Sequence, residues 1–364
     1  MMKFASILVL FFNLVSANDE KSNINFTGIE YPISYTSEVS EKTYILYQTP
    51  LSEKIDSSFN AIAVQGLVSD KNVSFELWIP QEEDPDTKEV KYSIINGVSK
   101  IYPNGRFWCR FDLSLKIEKF KFVVINNGVK SDKFKITIYE IQTANLFKKK
   151  DQKDSKIEID KGLSLPDPLP FKLIRRAEWG AKSPTSSYTQ HTPLKITIHN
   201  TAGNYPTTLE DAITEIQVIQ EYHQEAKGWI DIGYHFLIDP LGDIFEGRPI
   251  LVIGAHVANK NTDNVGISIM GNYHPPVNND LTQKTIDSII TLVKHIKDKY
   301  KISKTNFFGH RDLAETDCPG DNIYSKMSYL KAKIFDEKED SVIVDVDLGN
   351  EELNNKIIKS IYNW

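Results

Sequence analysis

Cysteine is scarce in this chain, which has two, Cys109 and Cys318, among 364 residues. The two lie in different predicted segments, and a chain of this length can bury enough apolar surface to fold without a disulfide scaffold. Cys109 occupies an apolar position in the alternating segment from Phe107 to Leu113, so we expect a buried free thiol. Cys318 lies in a loop and remains available as a ligand.

The chain also lacks an excess of positive charge. It contains 43 Lys and Arg residues and 49 Asp and Glu residues, which gives a net charge of -6. Nucleic-acid binding needs a basic face, so this charge argues against that function. No apolar run after the N-terminus is long enough to span a bilayer. A hydrophobic share of 40% is ordinary for globular proteins, and the length predicts two or three domains.

Residues 1–17 have the pattern of a signal peptide. A basic start at Lys3 precedes an apolar stretch from Phe4 to Val15, and Val15-Ser16-Ala17 fits the small-residue cleavage rule. The stretch is short for a bilayer, so a cleaved signal is favoured over an uncleaved anchor. We therefore expect a secreted or periplasmic protein whose mature chain begins at Asn18.

Histidine is missing from residues 18–148, and no catalytic constellation is found there. Short alternating segments separated by turn clusters such as Pro103-Asn104-Gly105 predict an all-β, sandwich-like accessory domain. Trp78 and Tyr102 are interpreted as core residues, with sugar binding as the alternative. The predicted strands cover residues 61–64, 73–79, 107–113, 120–125 and 134–139.

Residues 149–170 are predicted to be a linker, because a charge run is followed by Pro166, Pro168 and Pro170. Residues 171–335 alternate strands with amphipathic helices, which predicts an α/β domain with a central sheet flanked by helices. We expect this β-sheet to be mixed. Residues 336–364 form an acidic tail without an assigned function.

Three helices are expected in the α/β segment. The first begins at a capping box of Thr207 and Glu210 and continues towards Gly228. The second and third are predicted over residues 286–300 and 324–335. Strands are predicted over residues 233–238 and 265–270.

A candidate metal site combines a loop with a strand end. His310 and Cys318 lie in a segment rich in Asp, Gly and Pro, and His199 follows the β-branched strand that begins at Lys195. Imidazole and thiolate are ligands that zinc prefers, and three protein ligands leave a fourth position open, as in catalytic zinc sites. We therefore hypothesise that these three residues bind Zn²⁺.

Amide hydrolysis at such a site also needs a proton shuttle or an oxyanion stabiliser. Tyr234, Glu246, Thr316 and Asp317 are the candidates. Tyr234 and His235 are adjacent in a predicted strand, so only one of them can face the metal site.

Seven ordered segments carry a family resemblance. They are Arg176 to Gly180, Ile196 to Ala202, Trp229 to Ile238, Gly242 to Arg248, Gly254 to Val257, Asn264 to Tyr273, and Gly309 to Gly320. Residues 171–330 resemble the zinc-dependent N-acetylmuramoyl-L-alanine amidases, a group that includes the peptidoglycan recognition proteins and phage T7 lysozyme.

The resemblance implies a secreted zinc hydrolase that cleaves the amide bond between N-acetylmuramic acid and L-alanine in peptidoglycan. The glycan strand with its stem peptide would be the partner. The implied roles are zinc binding by His199, His310 and Cys318, catalysis by Tyr234 and Thr316, and substrate binding by Asn200, Trp229, Arg248 and His256. The alternatives are a non-catalytic peptidoglycan-binding recognition protein and a cytosolic recycling amidase, which the leader sequence opposes.

Two features depart from the family pattern. Asn200 stands where the family often has a second histidine after the first ligand. Residues 203–211 contain no cysteine, whereas animal recognition proteins usually have a disulfide there. The second departure favours a bacterial or phage-like wall enzyme over an animal immune receptor.

Overall fold

The computed structural model describes residues 23–55, 59–83, 90–146 and 157–336. The predicted signal peptide, the first part of the predicted linker and the acidic tail beyond Asp336 lie outside these ranges. Within the described ranges, no helix has the length and apolar character needed to cross a membrane.

The N-terminal strand region, defined as residues 24–146, forms two antiparallel sheets. One has the strand order β1-β9-β3-β7-β6 and the other β2-β8-β4-β5. The strands are β1 (Ile33–Glu38), β2 (Ile45–Gln48), β3 (Ala61–Val68), β4 (Val73–Glu83), β5 (Val90–Asn96), β6 (Val98–Ile101), β7 (Arg106–Asp112), β8 (Lys121–Asn126) and β9 (Lys133–Ala144).

One hydrophobic core is shared by these two sheets. Phe107 and Phe111 of β7 contribute to it from the first sheet, and Phe75 and Phe122 contribute from the second. All five predicted strands are found, but β1, β2, β5 and β6 were missed. Strands such as β5 are largely exposed, so their apolar residues do not alternate clearly. The separation of residues 18–148 as a sandwich-like domain stays a prediction.

The C-terminal part contains a six-stranded mixed sheet flanked by helices, as predicted. Its strand order is β10-β13-β12-β14-β11-β15, in which only β12 and β13 are antiparallel neighbours. The strands are β10 (Leu173–Ile174), β11 (Lys195–Asn200), β12 (Phe236–Ile238), β13 (Ile244–Glu246), β14 (Asn264–Ile269) and β15 (Phe307–Gly309). The helices are α1 (Leu209–Glu221), α2 (Gln283–Tyr300), α3 (Asp321–Tyr324) and α4 (Met327–Phe335).

Helix α1 begins one residue later than the sequence predicted. The Thr208 side chain caps it by accepting a hydrogen bond from the backbone N–H of Asp211, so the predicted capping box of Thr207 and Glu210 is wrong by one position. The helix ends at Glu221 and continues as a π-helical turn over Tyr222–Ala226. This turn lies between the two parts of the molecule.

Candidate metal site

Two parallel strands bring His199 and His310 together. β11 pairs with β15 so that Ile198 is opposite Gly309, and each histidine immediately follows one of these residues. Because both strands run in the same direction, their carboxyl ends meet at one edge of the sheet. The centroids of the two imidazole rings are 4.6 Å apart.

The loop after β15 returns to place Cys318 beside both histidines. The Arg311 backbone N–H donates to the Cys318 carbonyl at 3.0 Å. The Arg311 guanidinium pairs with Asp321 at 3.0 Å and also donates to the Asp317 carbonyl. At the start of the loop, Asp312 accepts from the Gly309 N–H at 2.8 Å. The loop is therefore closed by its own Arg and Asp residues.

The three predicted ligands form a group that fits zinc. One ligand atom from each of His199, His310 and Cys318 lies within 4.8 Å of the other two. Nδ1 of His199 is 3.6 Å from Sγ of Cys318, and donors around one tetrahedral zinc ion are roughly 3.3–3.8 Å apart. Two nitrogens and one sulfur are also the donor types zinc prefers. These residues could hold the metal with one coordination position left for water or substrate.

His256 fixes the tautomer of His199. Nε2 of His256 is 3.0 Å from the Asn264 carbonyl, which can only accept, so this nitrogen carries the proton. Nδ1 of His256 then accepts from Nε2 of His199 at 3.0 Å. The lone pair of His199 is therefore on Nδ1, the atom that faces Cys318. Hydrogen bonds of this kind orient metal-bound histidines and raise their basicity.

Burial keeps these imidazoles neutral. The pKa of His199 is well below its usual value because the ring is desolvated and because His310 and His256 lie close by. Desolvation also lowers the pKa of His256 to about 3. A neutral imidazole is the form that binds a metal ion.

Two glycines make room for the buried histidines. A methyl group on Gly266 would lie 2.6 Å from the His256 ring, and one on Gly254 would lie 2.6 Å from His256 and 2.7 Å from His235. These glycines belong to two of the segments that carry the family resemblance. Their lack of a side chain is a signal from which the buried histidine cluster could have been predicted, although it was not.

Replacing His256 with phenylalanine is expected to weaken zinc binding about 10–100-fold. The phenyl ring keeps most of the volume but leaves Nε2 of His199 without its acceptor. Competition with a chromophoric chelator measures the zinc affinity of the full-length protein. His295→Phe in α2 is the matched control and should keep the wild-type affinity. Unchanged zinc affinity in His256→Phe would contradict this supporting role.

The predicted catalytic residues lie at the same edge of the sheet. The half-buried Tyr234 ring has its centroid 5.4 Å from that of His199. The Thr316 hydroxyl accepts from the Cys318 N–H at 3.2 Å. Of the other two candidates, Glu246 pairs with Arg175 at 3.3 Å, and Asp317 is exposed.

The four residues expected to bind substrate are not placed alike. Trp229 is partly exposed and Asn200 is buried, with its backbone N–H directed at Sγ of Cys318. The His256 and Arg248 side chains are 1% and 4% exposed. Arg248 donates to the carbonyls of Ile232 and Ile253 at 2.6 and 2.7 Å. His256 and Arg248 were expected to bind substrate. In the structure, however, the buried His256 ring hydrogen-bonds His199, and the Arg248 guanidinium is directed at backbone carbonyls.

His223 was not predicted to belong to the site, yet it contacts two predicted site residues. Its ring centroid is 4.5 Å from that of Trp229 and 6.0 Å from that of Tyr234. Its Nδ1 accepts from the Gly233 N–H at 3.1 Å. No local sequence signal marks this residue, because it lies in the helical periodicity of α1 and the turn that follows.

Comparison with known proteins identifies the family. Residues 189–321 match the family model described as N-acetylmuramoyl-L-alanine amidase. Over 161 residues the chain is 41% identical to peptidoglycan-recognition protein SC2 of Drosophila melanogaster, covering 44% of this chain and 86% of that protein. The chain belongs to the peptidoglycan-recognition protein family.

Other members of the peptidoglycan-recognition protein family are also similar. Protein LB of Drosophila melanogaster is 31% identical over 162 residues, covering 43% of this chain and 68% of that protein. Peptidoglycan recognition protein 1 of Bos taurus is 31% identical over 157 residues, covering 42% and 80%. A solved structure of Drosophila PGRP-LB is 30% identical, with a TM-score of 0.40 and coverage of 43% and 92%.

These relatives of the chain are animal proteins. The absence of cysteine from residues 203–211 therefore does not separate this member of the peptidoglycan-recognition protein family from its animal relatives. The N-terminal strand region lies outside the segment matched by the amidase family model.

Proposed function

We propose that this protein is a zinc-dependent N-acetylmuramoyl-L-alanine amidase. It cleaves the amide bond between the lactyl group of N-acetylmuramic acid and the L-alanine of the stem peptide. The observation that carries the proposal is the convergence of His199, His310 and Cys318 within 4.8 Å. A purely recognising protein has no need for all three ligands beside a tyrosine. The amidase family match supports the same reaction class.

The proposed chemistry divides between the metal and the side chains around it. Bound zinc would supply Lewis acidity, which activates water and polarises a carbonyl. The Tyr234 hydroxyl donates a hydrogen bond to the carbonyl oxygen as negative charge develops on it. Thr316 helps to hold the same carbonyl and braces the cysteine loop through the Cys318 N–H. His256 and Asn264 keep the His199 lone pair directed at the site.

Peptidoglycan, as a glycan strand with its stem peptide, is the proposed partner. The matched relatives are named for peptidoglycan recognition. The partly exposed Trp229 and Tyr234 both contact the His223 ring, so they lie on the same side of the site. We propose Trp229 as a substrate contact. Asn200 is proposed as a second one, although it is buried, because it adjoins His199 at the carboxyl end of β11. The burial of Arg248 and His256 supports structural roles for these two residues.

The remaining proposals concern processing and organisation. The basic and apolar pattern of residues 1–17 supports secretion with removal of a signal peptide. We propose an accessory domain over residues 18–148, a linker over 149–170, the amidase domain over 171–335 and an acidic tail over 336–364.

Digestion of soluble muropeptides tests the proposed activity. The purified protein is expected to release stem peptides that begin with L-alanine, as detected by mass spectrometry. 1,10-Phenanthroline should stop the release, and added zinc should restore it, because the reaction requires the metal. A heat-denatured sample serves as the control.

A non-catalytic recognition function is the second candidate, because the relatives are named for recognition. Binding of muropeptides without any release of stem peptide, in a sample that contains stoichiometric zinc, would establish this function and exclude the amidase.

A further inference from the structure

Helix α1 is buried on two sides, which is unusual for a helix that flanks a sheet. On one side, Ala212, Ile216 and Ile219 pack into the mixed sheet. On the other side, Val218 packs against the N-terminal strand region, together with Tyr222 from the turn that follows the helix. The residues that this region contributes are small or aromatic: Ala61, Ala63, Tyr102, Trp108 and Ala144.

A buried ion pair crosses this junction. The Arg106 guanidinium of β7 donates to the Glu215 carboxylate of α1 at 2.6 and 2.9 Å. The two side chains are 0% and 1% exposed. Arg106 also donates to Gln65 at 2.9 Å. Burial of a charge is unfavourable unless an opposite charge is paired with it. Removing either residue would therefore leave a buried charge without its partner and destabilise the junction.

Glu221 makes a second polar contact across the junction. Its carboxylate accepts from Lys100 at 2.7 Å and from the Tyr102 hydroxyl, both in the N-terminal strand region. It also pairs with Lys182 from the C-terminal part at 2.5 Å. Burial alone would raise the pKa of Glu221, but hydrogen bonds from Lys100, Lys182 and Tyr102 outweigh it and lower the pKa to about 2. The carboxylate is therefore ionised at neutral pH.

The junction reaches the π-helical turn that carries His223. Arg110 of β7 donates to the Glu225 carbonyl at 2.5 Å. A methyl group on Gly228 would lie 3.2 Å from the Leu146 side chain, so the chain before Trp229 passes close to the end of β9. The turn is thus held from outside by the N-terminal strand region. On its inner side, His223 contacts Gly233, Trp229 and Tyr234.

The same helix also reaches the chain after the first ligand. A methyl group on Gly203 would lie 3.3 Å from Oε1 of Glu215, the carboxylate that Arg106 binds. Gly203 is four residues after His199. The junction therefore contacts the π-helical turn that carries His223 and also the chain that follows His199.

We propose that the N-terminal strand region is a structural component of the active site, because its docking on α1 and the π-helical turn fixes His223, which positions Tyr234 and Trp229. The proposal deepens the proposed function and rests on it for the role of Tyr234. His223 is a positioning residue, since it acts through the Gly233 backbone and through ring contacts. Displacement of a catalytic group by about 1 Å can lower a rate about 100-fold.

Full-length Arg106→Met tests the coupling, because it leaves Glu215 buried without its partner. We expect kcat on muropeptides to fall about 10–100-fold with unchanged zinc content. Hydrogen exchange of peptides covering residues 222–234 should become about tenfold faster. Arg106→Met combined with Glu215→Met removes both charges and should recover most of the protection.

Two controls separate docking from general stability. Phe122→Leu weakens the core between the N-terminal sheets, away from α1, and should leave kcat and the exchange of residues 222–234 unchanged. His223→Phe keeps an aromatic ring but removes the acceptor for the Gly233 N–H. It should lower kcat without loss of zinc.

Wild-type exchange and kcat in folded Arg106→Met would overturn the proposal. If that variant does not fold, Arg110→Met tests the coupling instead. It removes only the hydrogen bond to the Glu225 carbonyl and a partly exposed ion pair with Asp112. Faster exchange in residues 222–234 supports the coupling, and unchanged exchange overturns it. If the wild-type protein releases no stem peptide, the proposed function fails, while the exchange measurement still decides whether docking orders the turn.

Discussion

Cys318→Ala is expected to deplete the purified protein of zinc and to abolish amidase turnover together. Only His199 and His310 would remain, and two imidazoles hold zinc far more weakly than a set that includes a thiolate. Loss of one ligand should lower the affinity on the order of 10²–10³-fold, given the free energies of zinc sites in proteins. Metal analysis of the purified protein and the muropeptide assay measure the two losses separately.

The second cysteine provides the matched control for this variant. Cys109→Ala changes the same residue type in β7, where Cys109 is fully buried in the core of the N-terminal sheets. It should keep wild-type zinc content and turnover, with a modest loss of stability from the small cavity. Full turnover or stoichiometric zinc in Cys318→Ala would remove the basis of the proposed metal site.

Tyr234→Phe is expected to lower kcat about 10²–10³-fold, the usual effect of removing one oxyanion donor. The zinc content should not change, because Tyr234 is not among the three clustered ligands. The phenyl ring can keep the packing against His199 and His223, so the loss reports on the hydroxyl. Single-turnover rates on a defined muropeptide, with zinc measured in the same sample, give the result.

Tyr329→Phe is the control for removal of a tyrosine hydroxyl, since Tyr329 lies on the exposed side of α4. It should behave as wild type. A wild-type rate in Tyr234→Phe would indicate that another donor, such as Thr316, stabilises the oxyanion. Loss of zinc from Tyr234→Phe would instead show that the ring or hydroxyl supports the metal site.

Much of the candidate site could be predicted from residue types. A histidine at a strand end and a His and Cys in one loop are chemically suited to zinc wherever they meet. The parallel pairing of β11 and β15 then explains why they meet, because it places the two strand ends side by side. The prediction that only one of Tyr234 and His235 faces the metal assumed that both lie in a strand. In the structure, β12 begins just after them at Phe236, and the Tyr234 ring lies beside His199.

The supporting residues could not be predicted in the same way. Arg248 and His256 are polar residues in segments of the family pattern, and the resemblance implied that they contact substrate. In the structure, their hydrogen-bonding groups are used by nearby carbonyls and by His199. Whether a polar group faces a ligand or the protein depends on its burial, which local sequence does not encode.

The sequence by itself determined the ligand types, a sheet flanked by helices and about half of the described strands, because these follow from side-chain chemistry and from periodicity over a few residues. Only the tertiary structure decided that α1 has a second buried face. Glu215 and Glu221 would normally be expected on a solvated surface, yet Glu215 meets Arg106, which is 109 positions away. Burial of such a carboxylate is set by a distant packing surface, so no local pattern could reveal it.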